Sequence, residues 1–220
     1  MLLQIENIRD SIKNLNETDF FNNANLHIHT NHSDGVLSPK QVIENAKKDN
    51  LSYISITDHN TIDAYQEIPY NDLENVNLIT GIEFDCWYKT NFLHILGYGF
   101  DLNNEKIKNL CSENVNARKL DVVRFLTTRK AENAIKVIKE AGGIAVLAHP
   151  ASCWNINLDK MIEELVEIGL DGIEVYYLYI GHRKIVKFCD ISKIKRIANN
   201  LNLLITGGTD CHGLELGKRK

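Results

Sequence analysis

Two histidines one residue apart, His27 and His29, sit in the run NLHIH. On a strand, side chains alternate with period two, so both imidazoles would face the same side and form a ready-made chelate. Asp58 with His59, Glu83, His149, Glu174, and Asp210 with His212 likewise fall at the ends of short apolar runs. Imidazole and carboxylate donors together suit divalent Zn, Mn or Fe in a multinuclear site better than a thiolate-rich structural zinc. Taken singly these residues have ordinary explanations: His149 in LAHP as a satisfied interior histidine, Asp58 before Asn60 as a helix cap. Together on one rim they imply a cation, because burying so many ionisable groups without one is costly.

The elements that must carry them are legible as apolar runs separated by amphipathic stretches. Strands are expected at 25–29, 53–57, 78–84, 144–148, 172–175 and 203–206, with the candidate ligands at their carboxyl-terminal ends. Helices are expected from Ser38, which has Pro39 after it and Gln41 placed for a capping box, and over 61–67, 130–141, 159–168 and 184–200. Such alternation implies parallel strands joined by helical crossovers, in a barrel or a doubly wound sheet. In a parallel barrel the carboxyl-terminal ends form one rim, where active sites are built. FLHILGYGF (92–100) breaks the alternation as a hairpin partner or extra strand, and 103–128 reads as a polar, helical excursion. Leu2, Ile5, Ile8, Ile12 and Leu15 give residues 1–24 one apolar helical face, for packing on the 25–220 domain or for a dimer contact.

Composition sets the class. The chain has 220 residues, 44% hydrophobic and 25% charged, with a formal net charge of -4, which fits a single globular domain and gives no basic excess for bulk nucleic acid. Cys86, Cys111, Cys153, Cys189 and Cys211 include no C-x-x-C pair, pointing to reduced thiols and a cytoplasmic setting. No stretch suits a membrane span or signal peptide, and no phosphate-cradling glycine motif follows a strand.

The strings LHIHTNHSDG, SITDHNT, GIEF, LHILGYGFD, AGGIAVLAHP, GIEVYY and GGTDCHG, in this order over residues 25–213, resemble the successive motifs of the PHP (polymerase and histidinol phosphatase) superfamily. The chain is most similar to its small bacterial metal-dependent phosphoesterases, which act on nucleoside 3',5'-bisphosphates or short RNA ends. The resemblance implies a distorted TIM-like (β/α)7 barrel with a trinuclear site. His27, His29, Glu83 and Asp210 would hold one metal, and Glu83 would bridge to a second held by His94 and His149. Asp34, which is histidine in some members, would hold the third with His59 and His212. Three divalent ions against Asp34, Glu83 and Asp210 leave about +3, or about +2 with a bridging hydroxide, suited to a phosphate monoester dianion. That hydroxide would attack in line, with no protein nucleophile.

Beyond the ligands, His182 in YIGHRK is a candidate proton donor or phosphate contact, and Arg118, Arg124 and Arg183 are candidate phosphate forks. The basic residues of the excursion would then meet a second phosphate or a polynucleotide backbone. His32 is expected only to line its loop, and Cys211 to point away from its neighbours. Expected partners are a small phosphorylated substrate or a nucleic-acid end, for a monomer or dimer with no membrane role. Competing functions are a histidinol-phosphate phosphatase, a PHP module assisting a polymerase or other partner, and an amidohydrolase, which would commonly add a strand-end lysine that this chain lacks.

Overall fold

The strands are buried on both faces over most of their length, as strands covered by helices on one side and by a filled barrel on the other must be. The computed structural model describes residues 5–153, 155, 157–177 and 189–216. Its strands are β1 (Ala24–Ile28), β2 (Tyr53–Ile56), β3 (Asn77–Tyr88), β4 (Asn91–Tyr98), β5 (Ile144–Leu147), β6 (Gly172–Tyr177) and β7 (Leu204–Gly208). They form one sheet in sequence order. The His29 amide donates to the Cys211 carbonyl at 3.0 Å, so the two edges meet and the barrel nearly closes.

Strands β1 to β3 and β5 to β7 pair in parallel, but β4 is antiparallel to both neighbours. FLHILGYGF is therefore the return arm of a hairpin, whose turn carries Lys89 at φ +53°. The third strand runs on to Tyr88 instead of stopping near residue 84, because β4 and the 129–130 segment keep its backbone paired.

The helices are α1 (Ile5–Asn14), α2 (Glu17–Asn22), α3 (Pro39–Lys48), α4 (Glu105–Leu110), α5 (Asn116–Lys119), α6 (Asp121–Phe125), α7 (Ala131–Glu140), α8 (Leu158–Ile168) and α9 (Ile191–Asn200). The start of α3 is fixed by its capping box: Ser38 Oγ accepts the Gln41 amide at 3.3 Å and Gln41 Oε1 accepts the Ser38 amide at 2.9 Å. Val42, Ile43 and Ala46 form its buried face. The helix expected at 61–67 is one 3₁₀ turn, Asp63–Gln66, since Pro69 disfavours helical backbone at Ile68. Of the helix expected at 184–200, 184–188 lies outside the described residues and the rest begins at Ile191. The excursion holds α4, α5 and α6 with no strand.

The amino-terminal segment is two helices rather than one, broken where Asn16 caps α2. Ile8 and Ile12 are buried in the domain's own core. Each contributes roughly 1.5–3 kcal/mol by leaving water. Ile8 packs against Gly99, which has φ +68° and no room for a Cβ. Helix α1 thus lies by the end of β4 and the starts of β5 and β7, the rim opposite the candidate ligands. All five cysteines are free thiols. Among the described residues, no helix is long and apolar enough to cross a membrane.

Candidate metal centre

His27 lies within β1 and His29 just past its end, and both side chains are fully buried with rings 5.1 Å apart. Glu83 is reached from across the barrel. It sits in the middle of β3, not at a strand end, because the hairpin prolongs that strand. Its Oε2 lies 3.2 Å from Nε2 of each of His27, His29 and His59. Its Oε1 lies 2.9 Å from His94 Nδ1 and 3.3 Å from His149 Nε2. One carboxylate therefore faces five imidazoles.

The remaining acids come from loops. Asp210 Oδ1 lies 3.0 Å from His29 Nε2 and 3.4 Å from His27 Nε2, while its Oδ2 accepts the Tyr177 hydroxyl at 2.8 Å. Asp34 Oδ1 lies 3.0 Å from His212 Nε2, and Oδ2 lies 3.9 Å from His59 Nε2. Asp210 and His149 occupy left-handed backbone, at φ +49° and +27°, where the chain turns sharply past β7 and β5.

Three donor groups, each with its atoms within 4.8 Å of one another, could hold a cation: His27, His29, Glu83 and Asp210; His59, Glu83 and His94; and His29, Asp34, His59 and His212. The chemistry fits. Nε2 of His27, His29 and His212 and Oε2 of Glu83 are buried with no hydrogen-bond partner among the described residues, although they converge. Divalent cations would satisfy lone pairs that nothing else does.

Electrostatics agree. Burial opposes charge on Glu83, but His59, His27 and His94 overcome it and hold the carboxyl well below its usual range. Asp210 and Asp34 are likewise held low against burial, by His27, His29 and His212 and by His212, His59 and His29 respectively. Burial also opposes charge on His29, yet the Asp210 and Glu83 carboxylates close to its Nε2 and the charge of Asp34 push it up to about 10.

A second layer orients the imidazoles. His27 Nδ1 lies 3.0 Å from Glu174 Oε1, and His212 Nδ1 lies 2.8 Å from the Asp210 carbonyl, each leaving Nε2 for the cluster. Asp85, absent from the sequence-based ligand set, has Oδ1 3.1 Å from both His59 Nδ1 and His94 Nε2. Asn60 holds it by accepting the Asp85 amide at 3.1 Å, while Arg129 Nη1 donates to Asn60 Oδ1 at 2.7 Å. Burial would raise Asp85, but His59, His94 and Arg124 bring it down to about 2. Asp58 plays a different part: it accepts the Thr30 amide and the Thr30 and Ser33 hydroxyls at 2.6–2.7 Å, bracing the loop that carries Asp34.

Of the candidate phosphate contacts among the described residues, only Arg124 is brought to the cluster. It is 4% exposed, with Nη1 2.8 Å from Asp34 Oδ2 and Nη2 paired with Asp121. Arg118 instead donates to the Ser112 carbonyl and to Asp63, each at 2.6 Å, fastening the excursion to the 3₁₀ turn. His182 and Arg183 lie outside the described residues. His32 reaches Glu67 at 3.3 Å, and Cys211 donates to the Glu215 carbonyl, away from the cluster.

The sequence profile of the PHP domain matches residues 25–147. The chain is 24% identical to a phosphoribosyl 1,2-cyclic phosphate 1,2-diphosphodiesterase from Eggerthella lenta, over 86% of this chain and 93% of that protein. It is 33% identical to a 5'-3' exoribonuclease from Haemophilus influenzae over 72% of its own length, and spans 57% of that relative. Two solved structures share the fold. An amidohydrolase from Chromobacterium violaceum, with bound sulfate and no metal, has a TM-score of 0.71 at 20% identity, covering 87% of this chain and 88% of that one. A candidate metal-dependent phosphoesterase from Bifidobacterium adolescentis has a TM-score of 0.68 at 22% identity, covering 90% and 89%.

Proposed function

The chain belongs to the PHP domain family and is a metal-dependent phosphoesterase, and from that premise we propose that it hydrolyses a phosphate ester on a small ribose-bearing compound. A nucleoside 3',5'-bisphosphate or a short nucleic-acid end is the form of substrate we favour. The observation that carries this reading is Glu83, both of whose oxygens face imidazoles across a buried centre. The names of two relatives, a phosphoribosyl cyclic phosphodiesterase and an exoribonuclease, support the ribose.

In this reading His27, His29, Glu83 and Asp210 would hold one divalent cation, Glu83 with His94 and His149 a second, and Asp34, His59 and His212 a third. Bound there, Zn, Mn or Fe would neutralise phosphoryl charge and make a water acidic enough to supply hydroxide near neutral pH. The chain's own residues do the rest. Glu174 and Asp85 set which nitrogens of His27, His59 and His94 face the centre. The Tyr177 hydroxyl keeps Asp210 Oδ2 occupied, so that Oδ1 remains turned to His27 and His29.

Access is one-sided. Side chains of His27, His29, Glu83 and His59 are at most 3% exposed, whereas those of Asp210, His149, His94 and His212 are 12–19% exposed. The phosphate therefore meets the latter four first. His182 is assigned proton donation to the leaving oxygen on its sequence position alone. Metal analysis of the purified protein, then a phosphate-release screen over nucleoside bisphosphates, short oligonucleotides and sugar phosphates, tests the proposal. Metal-dependent release from a ribose phosphate, lost in Glu83→Gln, is the expected result; release only from non-ribose esters refutes the substrate class.

A further inference from the structure

Arg124 is out of place for an arginine. It comes from the five-residue helix α6 in the polar excursion, yet it is buried, and its side chain is less exposed than those of Asp34 and Asp210. Its helix is clipped to the β3–β4 hairpin: the Phe125 ring packs 4.9 Å from Trp87 and 5.2 Å from Phe92, and Trp87 Nε1 donates to the Phe125 carbonyl at 3.2 Å. The guanidinium is thereby held with Nη1 2.8 Å from Asp34 Oδ2 and Nε 3.8 Å from Asp85 Oδ1.

That placement bears on the third cation position. Asp34 Oδ1 faces His212, while Oδ2 faces both His59 and Arg124. A cation that drew Asp34 toward His59 and His212 together would have to share Oδ2 with a permanently charged group. The charge balance points the same way. Asp85 and Glu174 join Asp34, Glu83 and Asp210 around the centre, making five carboxylates in contact with its imidazoles. Two divalent cations and one guanidinium match those five charges; Asp121, which also pairs with Arg124, is exposed and screened by solvent outside the centre. A third divalent cation would leave two positive charges uncompensated in a site open to water on one side only, which is unfavourable until an anionic substrate arrives.

We propose that Arg124 is a built-in competitor of the third cation: by pairing with Asp34 it leaves the resting protein with two tightly held divalent ions. This rests on the metal-site reading above and goes beyond it, since that reading alone places a third ion on Asp34, His59 and His212.

The test is a count of metal. The full-length protein is stripped with chelator, reloaded with Mn²⁺, freed of loose ions by gel filtration and analysed by mass spectrometry of the metal, with a calorimetric Mn²⁺ titration alongside. Wild type should retain two ions per chain and bind a third at least about tenfold more weakly. Arg124→Met should retain three, and Asp34→Asn combined with Arg124→Met should return to two. Three equally tight ions in wild type overturn the proposal without any variant, as does a folded Arg124→Met protein that still holds two. Fewer than two ions in wild type would overturn the metal-site reading itself, and this inference with it.

Discussion

Glu174 grips His27 and His149 at once: Oε1 lies 3.0 Å from His27 Nδ1, and Oε2 accepts the His149 amide at 2.9 Å. A fully buried acid on β6 thereby fixes one imidazole of β1 and the left-handed turn after β5. Glu174→Gln must present an amide N–H to one of these partners. Facing His27 Nδ1, it would move the imidazole proton to Nε2, where a cation is expected. Metal affinity should fall about 10- to 100-fold with little loss of folded protein. Calorimetry on the stripped variant measures this, and unchanged affinity would remove the orienting role.

Glu83→Gln should be more severe, because Glu83 turns one oxygen to His27, His29 and His59 and the other to His94 and His149. We expect at least a hundredfold loss of turnover, about 2.7 kcal/mol of barrier, with metal content reduced as well. A variant keeping more than a tenth of wild-type turnover at saturating metal would show that Glu83 is not shared between cations.

Proton displacement gives a pH signature. His29, held up to about 10 in the metal-free protein, carries a proton at neutral pH that an incoming cation must expel. Affinity should therefore rise with pH, about tenfold per unit for this proton between pH 6 and 8, with net proton release on binding. Titrations in buffers of different ionisation enthalpy count the protons; a pH-independent affinity contradicts the expectation.

Backbone proximity gives a steric test. A Cβ at Gly208 would lie 2.1 Å from His27 Cβ and 2.5 Å from its backbone nitrogen, whereas one at Gly213 would meet nothing within 4 Å. Gly208→Ala should displace β1 from β7, destabilise the fold by roughly 1–3 kcal/mol and release metal. Gly213→Ala should do neither. Thermal melts with metal analysis compare the two, and equal behaviour would refute the steric argument.

What the sequence made legible follows from local spacing. His27 and His29 declare themselves through period two, and His59, His149, Asp210 and His212 through their places just after apolar runs. Asp85 escaped because β3 was expected to stop at residue 84. The extra strand length comes from pairing with β4, a tertiary effect, and it puts Asp85 on the same face as Glu83 two residues on. Period two extended past Glu83 would have found it. Arg118 and Arg124 look alike in sequence, six residues apart in one polar stretch. Only the packing of Phe125 against the hairpin turns Arg124 inward, while Asp63 takes Arg118. The break between α1 and α2 was written in Asn16 and Asp19, a reciprocal capping pair masked by the continuing apolar period.

Helix α1 also bears on modularity. Ile8 and Ile12 stopper the barrel at the rim away from the chemistry, and Arg9 pairs with Asp171, whose other oxygen accepts the Ala145 amide at 3.0 Å. The span matched by the PHP sequence profile, 25–147, starts beyond this stopper and ends before β6 and β7. Excised alone, it would open the barrel along one side and bare Gly99 and its neighbours at the base, having left behind Glu174, Asp210 and His212. The matched segment thus lacks groups that the candidate centre draws from β6 and from the loop after β7, and it is the closed ring that brings them to His27 and His29.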